Sequence, residues 1–287
     1  MTAVLKHELK SCFHTLTAYV FGAGLLLAVG LGAMLYNIQA AVSNFEYALS
    51  YFSIILAVIV PILTMRVIAE ERRQRTDQLL YSLPISAAQV IVGKYLALLT
   101  VYLIPMCVVA VYPLIFARFG DVYLPTSYGS MLAFFLMGAA LIALGVFISS
   151  LTDNQGFAAG VGIAVILLNY FSVSLSEYVS RTAFGSAAAL CVLVLILGAV
   201  IWHLTRSELL ACGVCLVCMA GIAAVSFADS ALLEGLLPGV MTRLSLFDRF
   251  NGFVNGVFDL TSIVFYVSVI VFFLFLSVQS LEKRRYN

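Results

Sequence analysis

The sequence predicts an all-α fold, a polytopic transmembrane helical bundle of about eight spans with both termini cytoplasmic. Three observations carry this. Of 287 residues, 63% are hydrophobic and 10% charged, against about 45–50% and about 25% in a soluble domain. The apolar residues fall in runs close to the roughly 20 residues that cross a bilayer with every backbone hydrogen bond satisfied internally. Lys and Arg gather on alternate sides of those runs.

The runs cover 16–36, 49–65, 95–116, 128–151, 157–175, 186–204, 209–227 and 260–281. The first follows Lys6 and Lys10 as a secretory signal core would, but it is too long for one and is read as a retained span. With the N-terminus inside, eleven of the 15 Lys and Arg residues are cytoplasmic, and Arg118, Arg181, Arg243 and Arg249 are outside. An even number of spans also puts the 282–285 tail inside. The formal charge of +1 is too small and scattered for a nucleic-acid surface, so no such partner is expected.

Residues 1–15 form a first element. Val4, Leu5, Leu9, Cys12 and Phe13 make an apolar stripe beside Lys6, Lys10 and His14, which predicts an interfacial cytoplasmic helix. Residues 16–287 form the membrane domain, interrupted by two longer stretches, 66–94 inside and 229–259 outside. There is no internal repeat, linker or low-complexity segment.

In the cytoplasmic stretch, Glu71 and Arg75, then Arg73 and Asp77, stand four apart and extend the second span as a helix. Leu79, Leu80 and Leu83 follow, and Pro84 ends the run. Ser86-Ala-Ala-Gln89 is a capping box that starts another helix. The prediction is a helix, a break and a short helix across the membrane face. In the external stretch, Phe247, Phe250, Val254, Val257 and Phe258 share one helical face, and Asp248, Asn251, Asn255 and Asp259 share another. That amphipathic helix, 246–258, is expected in the outer interface.

The string Ala-Glu-Glu-Arg-Arg-Gln-Arg-Thr-Asp-Gln-Leu-Leu-Tyr-Ser-Leu-Pro-Ile-Ser, with Gly93-Lys94 after it, resembles the first cytoplasmic loop of ABC-2 type transporter permeases. The matching positions are Glu70, Glu71, Arg72, Thr76, Leu79, Leu80, Pro84, Ile85, Ser86, Gly93 and Lys94. Arg75 stands where many members carry Gly. The N-terminal helix is similar to the family's connecting helix. Arg249-Phe250, Gly252-Phe253, Gly256, Asp259-Leu260 and the final Leu281-Glu282-Lys283-Arg284-Arg285 resemble the gliding-motility-associated branch.

The resemblance implies a type V exporter-like core of six spans with an extra pair, placed among residues 186–227. It implies a permease subunit in a bacterial cytoplasmic membrane, working as a dimer with itself or a paralogue. Two copies of a separate ATP-binding subunit would carry ATP and Mg. In the family the short helix after the Pro seats in a groove of that ATPase, which places the helix at 86–94, with Gln89 on it and Glu70, Glu71 and Arg72 at its rim. Phe247, Phe250, Phe253, Val254, Val257 and Phe258 are the expected contact for an accessory membrane protein with an external domain.

The residue chemistry agrees with a motor elsewhere. A phosphate-cradling loop ends Gly-Lys-Ser/Thr after an upstream Gly, whereas Gly93-Lys94 lacks that Gly and is followed by Tyr95. No cofactor or metal is expected on the chain, and no catalytic set, because His7, His14 and His203 are dispersed. Cys212, Cys215 and Cys218 sit in an apolar run and read as packing thiols. Gly156, Gly160 and Gly162 read as a close-approach surface, and Asn169 as an interhelical hydrogen-bonding group. Ionisable residues are nearly absent from the spans, unlike an ion-coupled carrier. The candidate pathway is apolar and aromatic, at Phe134, Phe135, Tyr170 and Phe171, which suits a lipid-like or amphipathic substrate, or force transmission. The competing class is an ATP-independent membrane protein, either a secondary carrier or a structural anchor.

Overall fold

A computed structural model of the chain describes residues 2–74, 86–178, 185–186, 191, 194, 212–213, 215–220 and 235–286. The described residues are helical and contain no strand. Six helical stretches are long and apolar enough to cross a membrane: Thr17–Gln39, Phe45–Gln74, Ala87–Phe116, Leu124–Leu151, Gln155–Tyr178 and Leu260–Lys283. They correspond to six of the eight expected spans. The expected spans 186–204 and 209–227 lie largely outside the described residues.

The chain divides into two compact units, Met1–Tyr170 with Arg249–Asn287, and Phe171–Asp248. The first begins with α1 (Thr2–His14), followed by α2 (Thr17–Gly32), which continues as π-helical turns over Ala33–Gln39. The second span is built from α3 (Phe45–Tyr51), a 3₁₀ turn (Ser53–Ile55), α4 (Leu56–Thr64) and, after a break at 65–68, α5 (Ala69–Gln74). Then come α6 (Ala87–Val109), α7 (Tyr112–Phe116), α8 (Leu124–Leu151) and α9 (Gln155–Tyr178). Beyond them lie α10 (Leu236–Leu244), α11 (Leu246–Val254) and α12 (Leu260–Tyr286).

Helix α8 is the centre of the first unit and packs on α3, α4, α6 and α12. It can do so because small residues, among them Ala133, Gly138, Ala139, Ala143, Gly145 and Ser149, are interspersed with the large ones on its buried face, and in lipid, where apolar burial drives no association, close backbone approach helps hold helices together. The Tyr102 ring of α6 lies over Gly138, where a Cβ would come within 2.5 Å of the ring carbons. The same ring stacks on Phe135 at 5.3 Å and meets Phe21 of α2 edge-on at 6.0 Å. Its hydroxyl donates to the Phe134 carbonyl at 2.9 Å. Tyr102→Phe removes this buried hydrogen bond and leaves the ring, so a loss of about 1 kcal/mol is expected, measured by thermal unfolding in detergent.

The Gly156, Gly160 and Gly162 surface resolves unevenly. Gly162 lies against Pro61 of α4, 3.1 Å from a built Cβ to the ring, whereas a Cβ on Gly160 would meet nothing within 4 Å. Close approach at this surface is therefore the work of Gly162.

Helix α11 ends in a Schellman turn. Gly256 takes φ 79, Val257 N–H donates to Gly252 C=O at 3.1 Å, and Gly256 N–H donates to Phe253 C=O at 3.0 Å. A left-handed residue at this position is the reason for the glycine. Asp259 then caps α12, accepting from the Thr261 amide (2.9 Å), the Ser262 amide (3.2 Å) and the Ser262 hydroxyl (2.7 Å). Those donors, the Ser262 hydroxyl first, hold its carboxyl below the usual aspartate range.

The second unit contains α10, which opens at Gly235 with φ 68. There the Cys215 thiol reaches the Val194 carbonyl at 3.7 Å. Cys212, Cys215 and Cys218 are free.

Candidate functional site

The break expected at Pro84 lies outside the described residues, and an interruption the sequence did not announce, at 65–68, precedes the helical extension. The helical extension is α5, which holds Glu70, Glu71, Arg72 and Arg73. Residues 75–85, including Thr76, Pro84 and Ile85, lie outside the described residues. Ser86 is extended (φ −73, ψ 148), and its hydroxyl accepts the Gln89 amide at 3.3 Å, as the capping signature requires. The helix it starts is not a separate short one. Residues 87–94 are the first turns of α6, which runs on to Val109, because nothing between Ala87 and Pro105 breaks a helix.

The ten loop residues singled out from sequence divide by exposure. Ser86 and Gln89 are exposed and Glu70 is half-buried, paired with Arg66 through Nε at 2.8 Å. Arg72, Gly93 and Lys94 are buried. Lys94 is 1% exposed, and its ammonium sits in a closed acceptor set. Nζ donates to Glu8 Oε1 of α1 at 2.7 Å, to Glu71 Oε1 of α5 at 2.5 Å and to the Val67 carbonyl at 2.9 Å. An ammonium has three donors, and here all three are used. Arg72, also buried, lies 4.0 Å from Asp153, which precedes α9.

This cluster joins α1, α5 and α6 at one end of the bundle. A buried charge held by good geometry resists separation, since pulling any partner away leaves the others uncompensated in a low-dielectric setting. The three helices are thereby constrained to move together. Glu8 did not emerge from the sequence as a site residue, although a signal existed. It stands four residues from both Val4 and Cys12, an acid inside the apolar stripe of α1, which predicts a buried cation partner. Cys12 reports the same surroundings, since burial and then Glu8 push its thiol above the ordinary value.

A buried carboxylate lies toward the other end of the second span. Glu46 is 2% exposed, and accepts from Asn44 Nδ2 at 2.7 Å and from the Ser127 hydroxyl of α8 at 3.0 Å. With Lys94 and Arg72, it corrects the expectation that the spans nearly lack buried ionisable groups. The second span is longer than the hydropathy run, from Phe45 to Gln74, so charges at both ends are enclosed by neighbouring helices.

The aromatic pathway candidates also change meaning. Phe134 is fully buried and packs edge-on against Phe250 at 5.7 Å. Phe135 is the partner of Tyr102, so neither ring lines an open passage in the first unit. Phe171 is 46% exposed.

The amphipathic helix expected over 246–258 ends at Val254, because the chain turns at Gly256; Phe247, Phe250, Phe253 and Val254 on it are buried, whereas Val257 and Phe258 lie beyond the turn and are exposed. Ser130 of α8 donates to the Phe253 carbonyl at 3.0 Å, Ser50 donates to Asn251 Oδ1 at 3.2 Å, and Arg249 lies 3.9 Å from the Phe265 ring centroid. Much of the apolar face is thus used in holding this helix within the chain, and the free apolar surface is at Val257 and Phe258.

The family model described as ABC-2 family transporter protein matches residues 28–180, more than half of the chain. The matched stretch includes the second span, α5, Lys94 and α8. No curated protein matches the chain.

Proposed function

The chain belongs to the ABC-2 transporter family and is a multi-pass membrane transport component, and on that premise we propose that it is a permease powered by a separate ATP-binding subunit. In this reading the α1 and α5 end faces the cytosol, in agreement with the Lys and Arg distribution. Two permeases, paired as a homodimer or with a paralogue, work with two ATPase copies in a bacterial cytoplasmic membrane. ATP and Mg belong to the partner, since this sequence has no phosphate-cradling loop.

The observation that carries the proposal is the Glu8–Lys94–Glu71 cluster. A motor below the membrane must push on something that does not yield, and this cluster binds α1, α5 and the start of α6 into one block beneath the spans. The surface that meets the motor is formed by Glu70, Ser86 and Gln89 with the intervening residues Thr76, Pro84 and Ile85. Glu71, Arg72, Gly93 and Lys94 act behind that surface by carrying force into the helices. The cargo is amphipathic or lipid-like and moves outward, or the complex transmits force. The resemblance of the C-terminal pattern supports the gliding-motility branch and an accessory external subunit that docks at Val257 and Phe258.

The test is coexpression with a candidate ABC-type ATP-binding subunit, followed by ATP turnover of the complex in lipid nanodiscs. Ser86→Pro and the double charge change Glu70→Lys with Arg73→Glu are expected to lower turnover several-fold or release the ATPase. Turnover and complex yield equal to those of the unmodified pair would refute coupling through this surface.

A further inference from the structure

The break between α4 and α5 is filled by side chains from other helices. In an uninterrupted α-helix the Ile68 and Ala69 amides would donate to the Thr64 and Met65 carbonyls. Here both amides donate to the Ser149 hydroxyl of α8, each at 3.2 Å. The same hydroxyl donates to the Met65 carbonyl at 3.2 Å. The Thr64 carbonyl is taken by Val67 N–H at 3.2 Å, and the Val67 carbonyl by Lys94. Ser149 is fully buried. Other hydroxyls in the spans, such as Thr64, Thr100, Ser268 and Ser277, bond back to a carbonyl four residues earlier in their own helix. Ser149 instead inserts into a neighbour's ladder, a recognised cause of a kink.

The two sides of this break are held differently. On its membrane side, α4 is clamped, since Thr64 is seated on Gly145 and Pro61 on Gly162. On the α5 side, the first turn is attached to α8 through one hydroxyl and to α1 and α6 through the Lys94 cluster. A hydroxyl turns freely about a single bond and can keep its donors and acceptor over a range of angles, whereas a backbone ladder cannot bend without losing bonds. Motion is therefore concentrated at 65–68.

We propose that residues 65–68 are the hinge of the second span and that Ser149 is its positioning residue, setting the angle at which α5 meets the motor. The role in coupling rests on the permease reading, whereas the hinge itself does not. Hydrogen–deuterium exchange on the full-length chain in nanodiscs tests the hinge. Ser149→Ala is expected to speed exchange of the Ile68 and Ala69 amides roughly tenfold, and Ser149→Thr, which keeps the hydroxyl, to restore protection. Unchanged exchange in Ser149→Ala overturns the proposal. Should that variant not be recovered, Ser149→Cys keeps the shape with a weaker hydrogen-bonding group; faster exchange supports the hinge and unchanged exchange overturns it.

Coupling is read in the complex with the ATP-binding subunit. Ser149→Ala is expected to lower kcat for ATP several-fold at unchanged KM and complex yield, with rescue by Ser149→Thr. A role in folding alone would lower yield and leave kcat of the recovered complex as it was, and that result overturns the positioning role. A wild-type chain that recruits no ATP-binding subunit refutes the permease reading alone, and the exchange comparison then still upholds or overturns the hinge.

Discussion

Lys94→Met is expected to destabilise the chain by about 3–5 kcal/mol, the largest effect of any single substitution considered. The Met side chain fills most of the space of the lysine stem. What it removes is the charge that Glu8 and Glu71 face at 2.7 and 2.5 Å, and the donor to the Val67 carbonyl. Two carboxylates then share a closed site without a cation, and an acceptor at the hinge is left bare. Thermal unfolding in detergent, followed by helical signal, would show the midpoint fall.

The informative control is the triple variant Lys94→Met, Glu8→Gln, Glu71→Gln. Replacing all the charges removes the uncompensated burial, so most of the lost stability should return. The α1, α5 and α6 block would nevertheless be looser, and turnover of the coupled ATPase is expected to stay low. Stability and coupling separate in this comparison. A Lys94→Met chain that unfolds with the wild type would mean that the cluster holds nothing.

Gly138→Ala should cost about 1–3 kcal/mol. The new Cβ would lie 2.5 Å from carbons of the Tyr102 ring, and that ring cannot step aside. It is fully buried, stacked on Phe135, set edge-on to Phe21 and bonded through its hydroxyl. Gly145→Ala meets the same obstacle at Thr64, 2.9 Å from its Cβ and Cγ2, and Thr64→Ala should relieve it in part, since the Cβ stays. Gly160→Ala is the contrast, because its Cβ would enter open space, and the gain in helix preference should leave it neutral or up to about 1 kcal/mol more stable. Unfolding midpoints for the three glycine variants, measured side by side, decide the matter. Equal effects at 138 and 160 would show that close approach to Tyr102 does not hold α6 on α8.

Much of the fold was legible because it is encoded locally. Hydropathy runs located six spans and Ser86 announced the start of α6, whereas the turn at Gly256 and the cap at Asp259 cut short the helix expected over 246–258. The site was legible only in part. The loop string drew attention to Glu71 and Lys94, but as partner contacts, Glu71 at the rim and Lys94 on the helix seated in the partner's groove. The structure buries Lys94 and has it donate to both Glu71 and Glu8, the latter 86 residues away along the chain. The short helix expected at 86–94 is continuous with a span for a related reason: a cap fixes where a helix begins and carries no information on where it stops.

By itself, then, the sequence determined the helical class, the six described spans, the Ser86 cap and the lack of a phosphate-binding loop, since each depends on residues within a few positions of one another or on overall composition. Only the tertiary structure decided which charges meet at Lys94, that Ser149 enters the ladder of another helix, that Glu46 is enclosed, and that Gly162 rather than Gly160 carries the contact to α4. These depend on how each helix is rotated about its axis. In a membrane the faces toward lipid and toward protein are equally apolar, so hydropathy is blind to rotation, and small residues and isolated polar groups reveal it only when their partners are in place.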